Sequence, residues 1–244
     1  MQKMDDEEPV AEPTQAEVKV QERHFLVLLV TIVSIEVAQV VLGPTLTESR
    51  LVGWLQAIII AVTIYAVGGK KKLTVLALFL GVPVMLARIV SLSMPVEEAE
   101  FISLALAVVF MAYVVWAIMS VVVRPGPVTM DKIYGAICVY LLLGMLWAHL
   151  YGILEIAQPG SFSFSGSTSP RTLVEQSDYR DLEQDLGYYS YVTLTTLGYG
   201  DITPVTHRAR QLSWLEALFG QLYIAITIAR LVASQIAHSQ IDDE

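Results

Sequence analysis

The chain has 244 residues, of which 55% are hydrophobic and 16% charged, and its formal net charge is −9 at pH 7. Mean hydropathy is +0.57. A soluble domain of this size has too little interior for so much apolar side chain, which excludes a water-soluble globule and predicts an all-α, multi-pass membrane protein.

Residues 1–24 are acidic and contain proline, without the basic region of a signal peptide. They read as an unprocessed, flexible cytoplasmic tail. A helix needs about 20 apolar residues to cross a bilayer core. Six stretches approach or exceed that length: 25–43, 51–69, 73–92, 101–123, 132–154 and 211–237. Lys70, Lys71, Lys72, Arg124 and Lys132 fall in loops on one side of this arrangement, whereas GPTLTESR and SMPVEEAE on the other carry one basic residue and four Glu. The bias puts both termini in the cytoplasm of a plasma-membrane protein; Arg208 and Arg210 lie against the trend. Cys138 stands alone inside the fifth stretch and reads as a small buried hydrophobe.

Between the fifth and sixth stretches the composition changes. Residues 155–187 are rich in Ser, Gly and Pro and then charged, which predicts a segment outside the membrane with a short helix over 171–185. That helix would turn Leu173, Tyr179 and Leu182 partly inward. LGYYSYVTLTT, 186–196, is too short to span and runs straight into TTLGYGDITP, 195–204. A half-length helix followed by extended backbone is tolerated at membrane depth only where protein or a water-filled cavity supplies its hydrogen bonds. The segment therefore reads as a re-entrant pore loop.

Exposed backbone carbonyls inside a membrane suit a dehydrated cation. Loss of an ion's water is expensive unless oxygens replace it, and a ring of carbonyls does so without full charges that would trap the ion. Aiming successive carbonyls at one axis takes conformations open to glycine, which Gly198 and Gly200 provide. Thr196 adds a hydroxyl to its carbonyl.

Thr196-Leu197-Gly198-Tyr199-Gly200 followed by Asp201 resembles the T-x-G-Y-G signature of the potassium channel family, and the resemblance covers about residues 132–237. It implies that the carbonyls of Thr196, Leu197, Gly198 and Tyr199, with the Thr196 hydroxyl, coordinate K⁺, and that Gly200 completes the filter. It also implies support from Thr195, Asp201 and an aromatic pair at Tyr188 and Tyr189. Tyrosines stand there in place of the family's usual tryptophans, so a bond from residue 189 to Asp201 would use a phenol hydroxyl. Val192 occupies a position where some members carry a glutamate paired with the filter aspartate. Gly220 falls where the family's inner helix often bends. Residues 25–123, outside the resemblance, read from their four apolar stretches as a peripheral four-helix transmembrane domain without voltage-sensor charges. Residues 124–244 then form a pore domain, with an extracellular turret at 155–186, a pore helix and filter at 187–201 and an inner helix at 209–237.

One motif per chain and about four strands per carbonyl cage predict a C4 homotetramer in the lipid bilayer. Gly220, Ile224 and Ile228 lie one turn apart, with Gln221 beside them, as candidate lining of the inner pore and its gate. They are weighed against ordinary helix packing. Residues 101–123 contain no charged residue, so strong voltage gating, which needs several charges per subunit, is not expected. Glu36 and Arg88 are expected to pair within the membrane, His149 and Glu216 are a further candidate pair, and Arg230 is expected to snorkel to the interface. Only HSQIDDE follows residue 237, so no built-in ligand-sensing domain is expected there. The expected activity is passive K⁺ conduction, with a weakly selective cation channel and a non-conducting pore-like subunit as alternatives. No enzymatic activity, cofactor or nucleic-acid partner is expected; K⁺ is the permeant ion.

Overall fold

The computed structural model describes residues 24–42, 58–59, 61–63, 71–93, 97–124, 128–164 and 176–242. The acidic tail, most of the second apolar stretch and residues 165–175, Leu173 included, lie outside the described residues. The element order is α1 (His24–Leu42), α2 (Lys71–Ser93), α3 (Glu97–Val122), α4 (Met130–Ala157), β1 (Phe162–Phe164), α5 (Gln176–Leu194), β2 (Ile202–Pro204) and α6 (His207–Asp242).

Apolar length explains most of these helices. Four stretches among the described residues are long and apolar enough to cross a membrane: Leu73–Val90, Glu98–Val122, Met130–Ala157 and His207–Ser234. The protein is thus a mostly helical, multi-pass membrane protein. A shorter apolar window, His24–Ala38, lies in α1. The α2 helix continues through Pro83, which removes one main-chain hydrogen bond but is tolerated where neighbouring groups compensate. Thr129 caps α4, accepting a hydrogen bond from the Lys132 N–H.

The helices meet in two clusters that share α4. In the first, Phe25, Leu28 and Ile32 of α1 pack with Phe110, Val114 and Ile118 of α3 and Cys138, Val139 and Leu142 of α4. The second joins Trp147, Tyr151 and Leu154 of α4 to Phe162, to Leu182, Leu186 and Tyr189 of α5, and to Ala209 of α6. Cys138 is fully buried there as a hydrophobe, its thiol against the Phe25 carbonyl.

Three sequence expectations change here. The α5 helix is continuous from Gln176 to Leu194, so the short helix expected over 171–185 and the half-length helix after it are one element running through Gly187. Glycine costs only about 1 kcal/mol within a helix, and the flanking buried residues offset it. Secondly, the segment expected outside the membrane with only a short helix also contains β1, which pairs antiparallel with β2 in the register Phe162↔Pro204, Ser163↔Thr203 and Phe164↔Ile202. Thirdly, Arg88 of α2 forms its ion pairs with Glu100 of α3, at 2.9 Å, and with Glu183 of α5. No Glu36–Arg88 pair occurs among the described residues. Glu36 lies on α1, whereas α3 and the start of α5 bring two carboxylates to the guanidinium.

Candidate functional site

Leu182, Leu186, Tyr189 and Val192 of α5 are buried, at the three- and four-residue spacing of one helix face. That face holds the helix against α4 and α6, and the chain leaves it in a tight reversal. The Val192 carbonyl accepts hydrogen bonds from the Leu197 N–H at 2.9 Å and the Gly198 N–H at 3.3 Å. The Thr195 hydroxyl donates back to the Tyr191 carbonyl at 2.6 Å. Val192 therefore supports the loop through its main chain, at the position where the sequence lacks a glutamate.

Beyond this reversal the backbone is unusual. Thr196, Gly198 and Gly200 have φ of 60°, 59° and 81°, while Leu197 and Tyr199 between them keep the ordinary sign. Alternation of this kind lets like main-chain groups converge on one side, as N–H groups do in the anion-binding concavities of other main-chain loops. Glycine adopts a positive φ freely. At β-branched Thr196 it is a strained conformation worth roughly 1–3 kcal/mol, a cost retained where surrounding structure enforces it and concentrated at functional sites. The loop stands clear of its own chain: Leu197 and Tyr199 are 59% and 67% exposed, and a Cβ added at Gly198 or Gly200 would meet nothing within 4 Å.

The far end of the loop is clamped by elements that the sequence reading missed. Immediately after Asp201, β2 pairs with β1. The Ser161 carbonyl accepts from the Val205 N–H at 2.8 Å, and the buried Glu155 carboxylate accepts from the N–H groups of Gly160, at 2.7 Å, and Phe162, at 3.2 Å. Alternation in Ser161-Phe162-Ser163-Phe164 was the available signal for a strand.

The two tyrosines have separate tasks. Tyr188 donates its phenol hydrogen bond to Asp201 at 2.7 Å. That bond holds the Asp201 carboxyl below its ordinary range, and the same carboxylate pushes the Tyr188 phenol up to about 12. Tyr189, from which a bond to Asp201 was conceivable, is buried and does not make it. Its hydroxyl lies 2.6 Å from that of Ser213 in α6, and its ring packs edge-on against Tyr151 and Phe162, each 5.2 Å away. Helical rotation of about 100° per residue separates the neighbours: residue 188 faces the loop exit and residue 189 the helix junction.

On α6, Gly220 is buried against the end of α5, where an added Cβ would stand 2.6 Å from the Leu194 carbonyl oxygen. Gln221, Ile224 and Ile228 are exposed on the single chain. Gly220 thus serves close helix packing and does not share the open surface with Ile224 and Ile228. Glu216 and His149 do not meet. Glu216 takes hydrogen bonds with Tyr151 and Ser190, whereas the His149 ring bonds the Met145 carbonyl one turn back on its own helix. Arg230 donates to the Val123 carbonyl at 2.9 Å, so its charge ties α6 to the end of α3.

Residues 184–234 match a protein-family model described as an ion channel. The matched segment runs from the second half of α5 through the loop and β2 into α6. Over 104 residues the chain is 29% identical to "Protein LctB" of Bacillus caldotenax, an alignment covering 43% of this chain and 72% of that protein. No solved structure matches the chain. The family match supports an ion-channel function for this membrane protein and points to permeation through a bilayer rather than to enzymatic chemistry.

Proposed function

We propose that the chain is the subunit of a potassium-selective channel in which four copies surround one axis. The observation that carries this reading is the loop Thr196–Gly200. It alternates the sign of φ, is anchored at both ends, and leaves its side chains uncovered by its own chain. Four such loops would supply the oxygen cage that replaces the water of K⁺. Neighbouring copies would cover Leu197, Tyr199 and the open apolar face of α6, where Trp214, Phe219 and Ile228 are each more than half exposed.

In this arrangement the carbonyls of Thr196, Leu197, Gly198 and Tyr199 and the Thr196 hydroxyl hold the ion. Thr195, Tyr188 and Asp201 brace the loop, and Tyr189 anchors its helix. Ile224 and Ile228, with Gln221, line the path below it. The chain crosses a plasma membrane six times with both termini in the cytoplasm, and the uncharged stretch 101–123 lacks the charges that strong voltage gating needs. A weakly selective cation channel is the second reading, favoured by Val192, whose side chain cannot bridge to Asp201 as a carboxyl would.

Reversal potentials of purified protein in a planar bilayer, with K⁺ on one side and Na⁺ on the other, test the proposal. Displacement toward the K⁺ equilibrium potential, lost in Gly198→Ala, is the expected result. Robust current reversing near zero in the unmodified protein selects the weakly selective reading.

A further inference from the structure

Glu216 lies in the membrane-spanning part of α6 and is wholly enclosed by its own chain, at 0% exposure. No ion pair to it occurs among the described residues. Its contacts form a chain of hydroxyls whose hydrogens can be counted. The Ser190 Oγ is 2.7 Å from the Gly144 carbonyl oxygen and 2.5 Å from Glu216 Oε1. A serine hydroxyl owns one hydrogen, and a carbonyl oxygen owns none. Ser190 therefore donates to Gly144, and the hydrogen between Ser190 and Glu216 comes from Glu216. On the other carboxyl oxygen, Tyr151 donates to Oε2. The Tyr189 hydrogen is already committed. Ser213 gives its own hydrogen to the Ala209 carbonyl at 2.8 Å, so Tyr189 donates to Ser213.

We infer that Glu216 carries a proton and, as a neutral acid, pins α5, the helix that leads into the Thr196–Gly200 loop, to α4 and α6. It is a positioning residue for that loop. The titratable groups in electrostatic contact with it are Tyr151 and Tyr140 of α4 and Tyr189 of α5, all phenols. An ionised carboxylate here would leave the single Ser190 hydrogen to serve two acceptors, Gly144 and Glu216, so one contact would face oxygen to oxygen with no hydrogen, in surroundings too dry to compensate. Neutral, the group satisfies every member of the network at once. Full enclosure within one chain also keeps the acid out of reach of a neighbouring copy.

The protonation state does not depend on the proposed conduction, but the positioning of the filter rests on that reading. Two measurements keep them apart. Infrared spectra of the purified full chain at pH 7, with Glu216→Gln subtracted, are expected to contain a protonated-carboxyl carbonyl band. Carboxylate bands in its place overturn the inference. Should Glu216→Gln fail to assemble, Ser190→Ala keeps the acid and removes its acceptor. The carbonyl band then shifts, and an unmoved spectrum overturns the inference.

In bilayers, Glu216→Gln retains both a donor and an acceptor, so its K⁺ over Na⁺ permeability ratio should stay within about twofold of the unmodified protein. Glu216→Leu, of similar size but unable to hydrogen-bond, should lose at least about tenfold. Equal ratios in both variants remove the positioning role while leaving the infrared result intact.

Discussion

Gly220 of α6 lies directly beneath the last carbonyl of α5: a Cβ at residue 220 would come within 2.6 Å of the Leu194 oxygen and 2.9 Å of a Leu194 methyl carbon. The same carbonyl accepts the Tyr140 hydroxyl at 3.2 Å, so it has little freedom to withdraw. Gly220 has no positive φ, and alanine suits the helix locally. The clash is therefore a matter of space. Gly220→Ala should destabilise the folded chain by roughly 1–3 kcal/mol, the usual cost of overpacking, read as a lower midpoint of thermal unfolding in detergent. A glycine needed only as a hinge would leave that midpoint unchanged or raise it.

Tyr188→Phe removes the hydroxyl that holds Asp201 below the ordinary carboxylate range. A carboxylate with a depressed pKa keeps its charge until the pH falls through that depressed value. Without its donor, Asp201 should take up a proton at higher pH. The acid limb of a current–pH profile should move toward neutrality in Tyr188→Phe and vanish in Asp201→Asn. Tyr189→Phe should leave that limb in place, because its hydroxyl is engaged with Ser213.

The guanidinium of Arg88 joins three helices through Glu100 and Glu183, with its own side chain only 13% exposed. Arg88→Met should be costly, roughly 3 kcal/mol, because two carboxylates lose their partner in surroundings of low dielectric. Glu183→Gln should cost less. In a double-mutant cycle the two losses should not add, since they share one interaction. Glu36→Gln should leave the stability effect of Arg88→Met unaltered, which urea or thermal melts of the four proteins will decide.

Glu155→Gln tests the clamp beyond the loop. One carboxylate currently accepts two main-chain N–H groups, those of Gly160 and Phe162. An amide has one acceptor oxygen, so one buried N–H would be left unmatched, at about 1–3 kcal/mol. Hydrogen exchange should accelerate at 162–164 and 202–204, the paired strands, and remain slow in the first cluster around Phe110 and Leu142.

Much of the site was legible in the sequence because it depends on local backbone. Left-handed φ at Gly198 and Gly200 follows from having no Cβ, and a polar, glycine-bearing run after an apolar segment too short to span already implied a loop there. The apolar length of 73–92, 101–123, 132–154 and 211–237 likewise implied helices, and helices of that length occur there. Partners were another matter. The sequence pairs Arg88 with Glu36 and leaves open which tyrosine reaches Asp201, whereas the fold gives Arg88 to Glu100 and Glu183, and gives Asp201 to Tyr188. Gly220, at the family's bend position and a candidate for the pore lining, is a point of helix contact. The physical reason is that helices apolar on nearly every face carry no stripe to say which face meets which neighbour. Rotation about each helix axis, and with it the company that Arg88, Gly220 and Glu216 keep, is decided only when the helices pack.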